Sequence, residues 1–106
     1  MTDIDKLLEK ARNSAAGYGV KRGLKEVADD RLKGVYASLY DDCSGTVAER
    51  DAWVKRQSRY KDAIVAKENA YASWAASDIF MKILFAEVEV WRSKNATARF
   101  IDRAHQ

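Results

Sequence analysis

The residues with the clearest capacity for chemistry are basic side chains interleaved with aromatic ones. They occur in two segments, around residues 50–61 and around residues 91–103. Cationic side chains contact phosphates and aromatic faces stack on unpaired bases, so this mixture is typical of single-stranded nucleic-acid binding. The candidate binding residues are Arg50, Lys55, Arg56, Arg59, Lys61, Arg92, Lys94, Arg99 and Arg103. In the alternative interpretation, the aromatics are core residues and the basic side chains are their solvated flanks.

Residues suited to catalysis or metal binding are few. The only histidine is His105, and the only cysteine, Cys43, follows Asp41 and Asp42. Adjacent negative charge disfavours a reactive thiolate, so Cys43 is interpreted as a loop residue. The sequence has no zinc-ligand, nucleophile-elbow or phosphate-loop motif. We therefore expect a protein that is not an enzyme and that uses no cofactor or metal.

Composition indicates one folded domain covering residues 1–106. Hydrophobic residues make up 47% of the chain and charged residues 33%, which excludes a disordered chain. The net charge of +3 permits a nucleic-acid partner without requiring one. No apolar run is long enough to span a membrane, and no signal-peptide pattern begins the chain. These features and the single cysteine predict a cytoplasmic protein.

Helical periodicity predicts an all-α fold. The spacing of apolar residues predicts a first helix over residues 3–40, with Thr2 and Asp5 as a capping box. Glycines at positions 17, 19 and 23 leave two possibilities, one long helix weakened there or two helices meeting there. The absence of proline and of a polar turn cluster favours one helix. The simplest structural explanation of these glycines is a close contact with another helix or a kink.

The sequence of the second half of the chain predicts a turn, a short helix and a long helix. Residues 41–45 have turn composition, and Thr46 with Glu49 forms a capping box for a helix over residues 46–56. A break at Gln57, with Ser58 as the cap, precedes a run without glycine or proline that predicts a helix over residues 58–103. The expected architecture is an elongated helical hairpin with a short connecting helix.

The long third helix is apolar on more than half of its circumference. A ridge of small residues widens into large ones, and a mostly aromatic stripe runs beside it. Because the first helix covers one side only, we expect self-association into an antiparallel or side-by-side dimer. Lys67 and Asp78 interrupt a strict heptad pattern, which favours an irregular bundle. The ridge is Ala63, Ala66, Ala70, Ser73, Ser77, Phe80, Leu84, Val88 and Trp91, and the stripe is Tyr60, Ile64, Tyr71, Trp74, Met81 and Phe85.

Two segments carry a resemblance to a known group of proteins. Residues 45–53 read GTVAERDAW and residues 87–96 read EVEVWRSKNA. With this spacing they resemble a family of small helical phage and prophage proteins, whose genes tend to lie near phage recombination genes. The resemblance covers roughly the last 60 residues, and neither segment is a catalytic motif.

The resemblance implies a non-enzymatic phage accessory protein of DNA recombination or replication in the host cytoplasm. Its expected partner is single-stranded DNA or a phage or host recombination protein. The alternative is a protein-interaction module, such as a phage inhibitor of a host defence or nuclease complex. Arg50 and Arg92 lie in the matched segments, and either can instead be structural, paired with a helix carboxylate such as Glu49 or Glu89.

Overall fold

The computed structural model describes residues 2–104 and contains three helices. Helix α1 spans Asp3–Asp41, α2 spans Val47–Arg56 and α3 spans Ser58–Ala104, and no strand occurs among the described residues. The predicted long, short, long order is confirmed, with bounds that differ from the expected ones by a single residue. His105, named above as the only histidine, lies outside the described residues.

Helix α1 is continuous through its glycines, so the prediction of a single first helix is confirmed. A Cβ atom built at Gly17, Gly19 or Gly23 would meet no atom within 4 Å. No close helix contact therefore accounts for these three glycines. Glycine has a low intrinsic helix propensity, about 1 kcal/mol below that of alanine. The continuity of α1 through these positions therefore depends on its packing against α3.

The helix starts follow the predicted capping chemistry, with one correction. Thr2 Oγ1 accepts from the Asp5 backbone N–H at 3.3 Å, and Thr46 Oγ1 accepts from the Glu49 N–H at 3.2 Å. The expectation that Ser58 caps α3 is wrong, since Ser58 is already helical. Gln57, in an extended conformation, occupies the cap position, and its carbonyl accepts from the Lys61 N–H at 3.1 Å.

The chain forms two compact units. The first contains residues 20–75, with a core of Val35, Leu39, Val54 and Ala63. Val54 joins α2 to the paired halves of α1 and α3 in that core and is 0% exposed. Aromatic and aliphatic side chains pack around it, namely Leu32, Tyr36, Tyr40, Trp53 and Tyr60.

The second unit pairs the start of α1 with the last part of α3. It contains the described residues of 1–19 and 76–106, and Met81, Leu84 and Val88 of α3 are buried in it. Ile4 and Leu7 on the predicted apolar face of α1 are half-buried in the same unit. A single buried stripe on α3, repeating every three or four residues, therefore holds this unit together.

Lys67 and Asp78, the charged residues that interrupt the heptad pattern of α3, have partners on α1. In the first unit, Lys67 Nζ lies 2.8 Å from the Asp29 carboxylate. In the second unit, the Tyr18 hydroxyl donates to the Asp78 carboxylate at 3.3 Å. Because each polar group is paired across the helices, the irregular positions fix the local register of the two helices instead of weakening it.

The Asp29–Lys67 pair gives stability a specific pH dependence. The hydrogen bond from Lys67 holds the pKa of Asp29 below its ordinary 3.8. Since the folded pKa is the lower one, this contribution is present above about pH 4 and is lost as the pH falls through the folded pKa. We expect Asp29→Asn to lower the urea midpoint at neutral pH, and the difference from wild type to shrink towards pH 2.

Urea titrations of both proteins at neutral and acid pH, followed by circular dichroism, measure this difference. The exposed neighbour Asp30 has no ion pair among the described residues, so Asp30→Asn is the matched control. A midpoint difference for Asp29→Asn that persists unchanged at acid pH, or an equal one for Asp30→Asn, would contradict the assignment.

Candidate nucleic-acid interface

Arg50, the first residue of the predicted binding set, makes internal contacts. Its Nε and Nη2 donate to the Tyr40 carbonyl at 3.2 and 2.7 Å, and the guanidinium lies 3.8 Å from the centre of the Tyr40 ring. This carbonyl is in the last turn of α1, where the helix itself supplies no donor. The half-buried Arg50 therefore closes the end of α1 against α2 and is not available as a free phosphate contact.

Lys55 belongs to a polar cluster between α1 and α2. Its ammonium lies 2.9 Å from the Asp51 carboxylate, which also accepts from the Tyr36 hydroxyl at 2.7 Å. The Tyr36 hydrogen bond and the Lys55 contact hold the pKa of Asp51 below its ordinary value. The same hydrogen bond raises the pKa of Tyr36 to about 12. Lys55 is thus partly neutralised, although its side chain stays more than half exposed.

The remaining members of the first basic group, Arg56, Arg59 and Lys61, are exposed. Arg59 lines a groove of about 420 Å³ between α1 and α3, opposite Arg31. Arg31 was missed in the sequence, because only the antiparallel pairing of the helices brings it near residues 59–63. Asp62 lines the same groove, so its carboxylate opposes the attraction of an anion there.

Cys43 is half-buried in the turn before α2. Its thiol donates to the Tyr40 carbonyl at 3.4 Å, the same carbonyl that Arg50 contacts. This contact agrees with its interpretation as a loop residue.

The end of α3 presents the second basic group more openly. From Glu89 to Ala104 every residue is exposed except Asn95, which is half-buried. Arg92, Arg99 and Arg103 are seven and four residues apart, so they lie on one side of the helix. We call these three residues the arginine stripe. Arg92 Nη1 lies 2.8 Å from Glu89 Oε1, but both side chains are about two-thirds exposed, so this contact is weak.

Exposed aromatic rings border the arginine stripe. Phe100 lies between Arg99 and Arg103 in the chain and is 73% exposed. Phe85 is seven residues before Arg92, on the same side of the helix, and is 58% exposed. Both rings are thus exposed, Phe85 two helical turns before Arg92 and Phe100 between Arg99 and Arg103, and exposed rings among cations suit stacking on unpaired bases.

The structure separates two residues of the second group from the stripe. Lys94 is two residues beyond Arg92 and therefore lies on nearly the opposite side of α3. Trp91 is only 39% exposed and lies on a third side of the helix. The predicted set thus divides into four groups. Arg50 and Lys55 have partners within the protein, whereas Arg56, Arg59 and Lys61 are exposed. The arginine stripe forms the third group, and Lys94 lies apart from it.

Other kinds of site find little support in the described part of the chain. Within residues 2–104, no three His, Cys, Asp or Glu side chains lie close enough together to hold a metal ion. None of the helices described has a stretch apolar and long enough for a membrane crossing. In comparisons with known proteins, the chain matches no family model, no curated protein and no solved structure.

Proposed function

We propose that the protein is a non-enzymatic accessory factor of DNA recombination or replication that binds single-stranded DNA through the arginine stripe. One observation carries this proposal: Arg92, Arg99 and Arg103 lie exposed on one side of α3, with the rings of Phe85 and Phe100 beside them. Guanidinium groups contact phosphates at several positions along a strand, and the rings stack on its bases.

We prefer the arginine stripe to the first basic group because the cations of the stripe make fewer contacts with protein acceptors. Arg50 and Lys55 bond to protein acceptors, and Asp62 lies in the groove beside Arg59. Among the described residues, the carboxylate in contact with the stripe is that of Glu89, in a solvent-exposed pair. Exposed pairs of this kind exchange readily for a phosphate, since they contribute about 0–1 kcal/mol.

The phage setting rests on the resemblance of residues 45–53 and 87–96 to phage and prophage proteins. Arg92 lies in the second of these segments, within the stripe. A host-cell role beside recombination proteins follows from that resemblance, and the proposal of DNA binding rests on the charges and rings of α3 themselves.

Fluorescence anisotropy of a labelled single-stranded oligonucleotide tests the proposal. We expect binding that weakens with salt, and a loss of about tenfold in affinity at low salt for each of Arg99→Ala and Arg103→Ala. Each substitution should also flatten the salt dependence, by about 0.7 in the slope of log affinity against log salt. Phe100→Ala should weaken single-strand binding through lost stacking.

The matched control is Arg22→Ala, which removes an exposed, singly paired arginine of α1. We expect its affinity to stay within about twofold of wild type. Flat anisotropy at low salt would remove direct DNA binding and leave a protein as the partner. An equal loss for Arg22→Ala and Arg99→Ala would show nonspecific charge attraction without a stripe.

A further inference from the structure

The side of α3 opposite its buried stripe carries a row of uncharged residues at heptad spacing in the second unit. Its positions alternate three and four residues apart, all are exposed, and none is charged. They lie opposite Met81, Leu84 and Val88, which face α1. We call this surface the outer seam, and its members are Ala76, Ile79, Ile83, Ala86, Val90, Ser93 and Thr97.

The outer seam has the spacing of a coiled-coil interface, with three large apolar residues among its members. Ile79, Ile83 and Val90 are 59%, 51% and 54% exposed and lie in one line, and a contiguous exposed apolar surface marks an interaction site. The apolar members extend over two heptads, from Ala76 to Val90, and Ser93 and Thr97 continue the spacing with small polar side chains. Apolar heptad spacing with charges at the flanking positions is the pattern of a helix that pairs with another helix.

With Ala76 as a first core position of the heptad, Ile83 and Val90 fall on the same position, where two-stranded parallel coils carry β-branched residues. The second core positions are Ile79, Ala86 and Ser93, in place of the leucines usual there.

The flanking charges decide what covers the seam. On one flank lie Lys82 and Glu89, and on the other Glu87 and Lys94, and all four are exposed. In a parallel two-stranded coil, each residue of the first flank meets the residue five positions later on the partner. Lys82 then meets Glu87, and Glu89 meets Lys94, with both pairs made twice by symmetry. The surface is complementary to itself.

From this self-complementarity we infer that the outer seam binds a second copy of the same chain, α3 against α3, parallel and in register. Lys94, which the arginine stripe leaves out, acquires a role as the partner of Glu89 across this interface. The pattern was missed in the sequence because Lys67 and Asp78 interrupt the heptad spacing on the side of α3 that faces α1, and the outer seam lies on the other side of the helix.

Dimerisation through the outer seam leaves the arginine stripe free. Arg92 and Arg99 are two residues beyond Val90 and Thr97, respectively, and so lie nearly opposite the seam. These two guanidinium groups are therefore unaffected by the dimer, whereas Phe100, three residues beyond Thr97, lies at the next core position of the same spacing. Loss of DNA binding in Arg99→Ala thus tests the arginine stripe separately from the seam.

Sedimentation velocity on a matched pair of variants tests the surface. Val90→Glu places a charge in the seam, whereas Val27→Glu makes the same change on α1, where Val27 is 62% exposed. At about 10 µM we expect wild type and Val27→Glu to have the mass of two chains. Val90→Glu should have the mass of one, with its dissociation constant raised about a hundredfold or more. Circular dichroism verifies that each variant is helical.

Monomeric wild type at that concentration overturns the inference, as does a Val90→Glu dimer. A Val27→Glu monomer overturns it as well, since the interface would then include α1.

Charge exchange tests the parallel register. Lys82→Glu should weaken the dimer, because it places a second carboxylate opposite Glu87 of the second copy. Adding Glu87→Lys should restore the dissociation constant, whereas adding Glu89→Lys should not. In an antiparallel coil Lys82 would meet Glu89 of the second copy, so rescue by Glu89→Lys overturns the parallel arrangement. Both double variants lose the Asp78–Lys82 contact equally, which cancels that effect from the comparison.

Discussion

Leu84→Ala is expected to lower the free energy of unfolding by about 3 kcal/mol. Leu84 is 1% exposed and lies between Met81 and Val88 in the buried stripe of the second unit. Truncation to alanine removes the buried, branched end of the side chain and leaves a cavity that the neighbouring residues fill only partly. Because a domain of this size has a total stability of about 5–15 kcal/mol, a large share of it depends on this side chain.

Urea denaturation at a fixed protein concentration measures this loss, and Leu24→Ala is the matched control. Leu24 is 56% exposed on α1, so the same truncation should change stability by no more than about 0.5 kcal/mol. Leucine and alanine have similar helix propensities, and the comparison therefore isolates burial. Equal losses at the two positions would contradict the assignment of Leu84 to the core.

Periodicity and capping were sufficient to predict the helices. Thr2 and Thr46 precede helix starts as capping residues do, and Gly45, at φ +127, ends the turn where its freedom from a side chain is needed. These signals are local, since each depends on residues within one helical turn. The cap of α3 was misplaced by one residue because Gln57 and Ser58 both suit a break, and only the backbone angles separate them.

Burial was harder to predict than helix position. Leu32, Val35 and Leu39 on α1 pack in the first unit, whereas Leu24 and Val27, which continue the same spacing, are more than half exposed. Periodicity gives the side of a helix on which residues lie, but not which neighbouring element covers it. That choice depends on long-range packing, which the spacing alone does not contain.

The sequence indicated which types of residue the candidate site contains, but not which of them have partners within the protein. Aromatic residues among basic ones made Arg56, Arg59 and the arginine stripe candidates for binding; their side chains are exposed, and their role in binding stays a prediction. The sequence could not separate Arg50 from them, because its partner is a backbone carbonyl ten residues earlier. Because every residue type has the same backbone carbonyl, no sequence motif can indicate such an acceptor. Arg31 was missed for the related reason that its neighbours come from another helix.

Arg50→Ala is expected to lower the free energy of unfolding by about 2 kcal/mol without changing oligonucleotide affinity. The guanidinium donates twice to the Tyr40 carbonyl and covers the Tyr40 ring. The other donors to that carbonyl, the backbone N–H and thiol of Cys43, are longer contacts at 3.5 and 3.4 Å. The carbonyl therefore loses its short hydrogen bond, and α1 loses the cation that stabilises its carboxyl end.

Two further variants separate geometry from charge in urea denaturation. Arg50→Lys keeps the positive charge but has no planar fork, so we expect a loss between those of wild type and alanine. Arg56→Ala removes an exposed arginine of the same helix and should leave stability within about 0.5 kcal/mol of wild type. If Arg50→Ala instead kept full stability and weakened oligonucleotide binding, Arg50 would belong to the binding surface. The interface would then lie at the junction of α1 and α2 rather than on the arginine stripe.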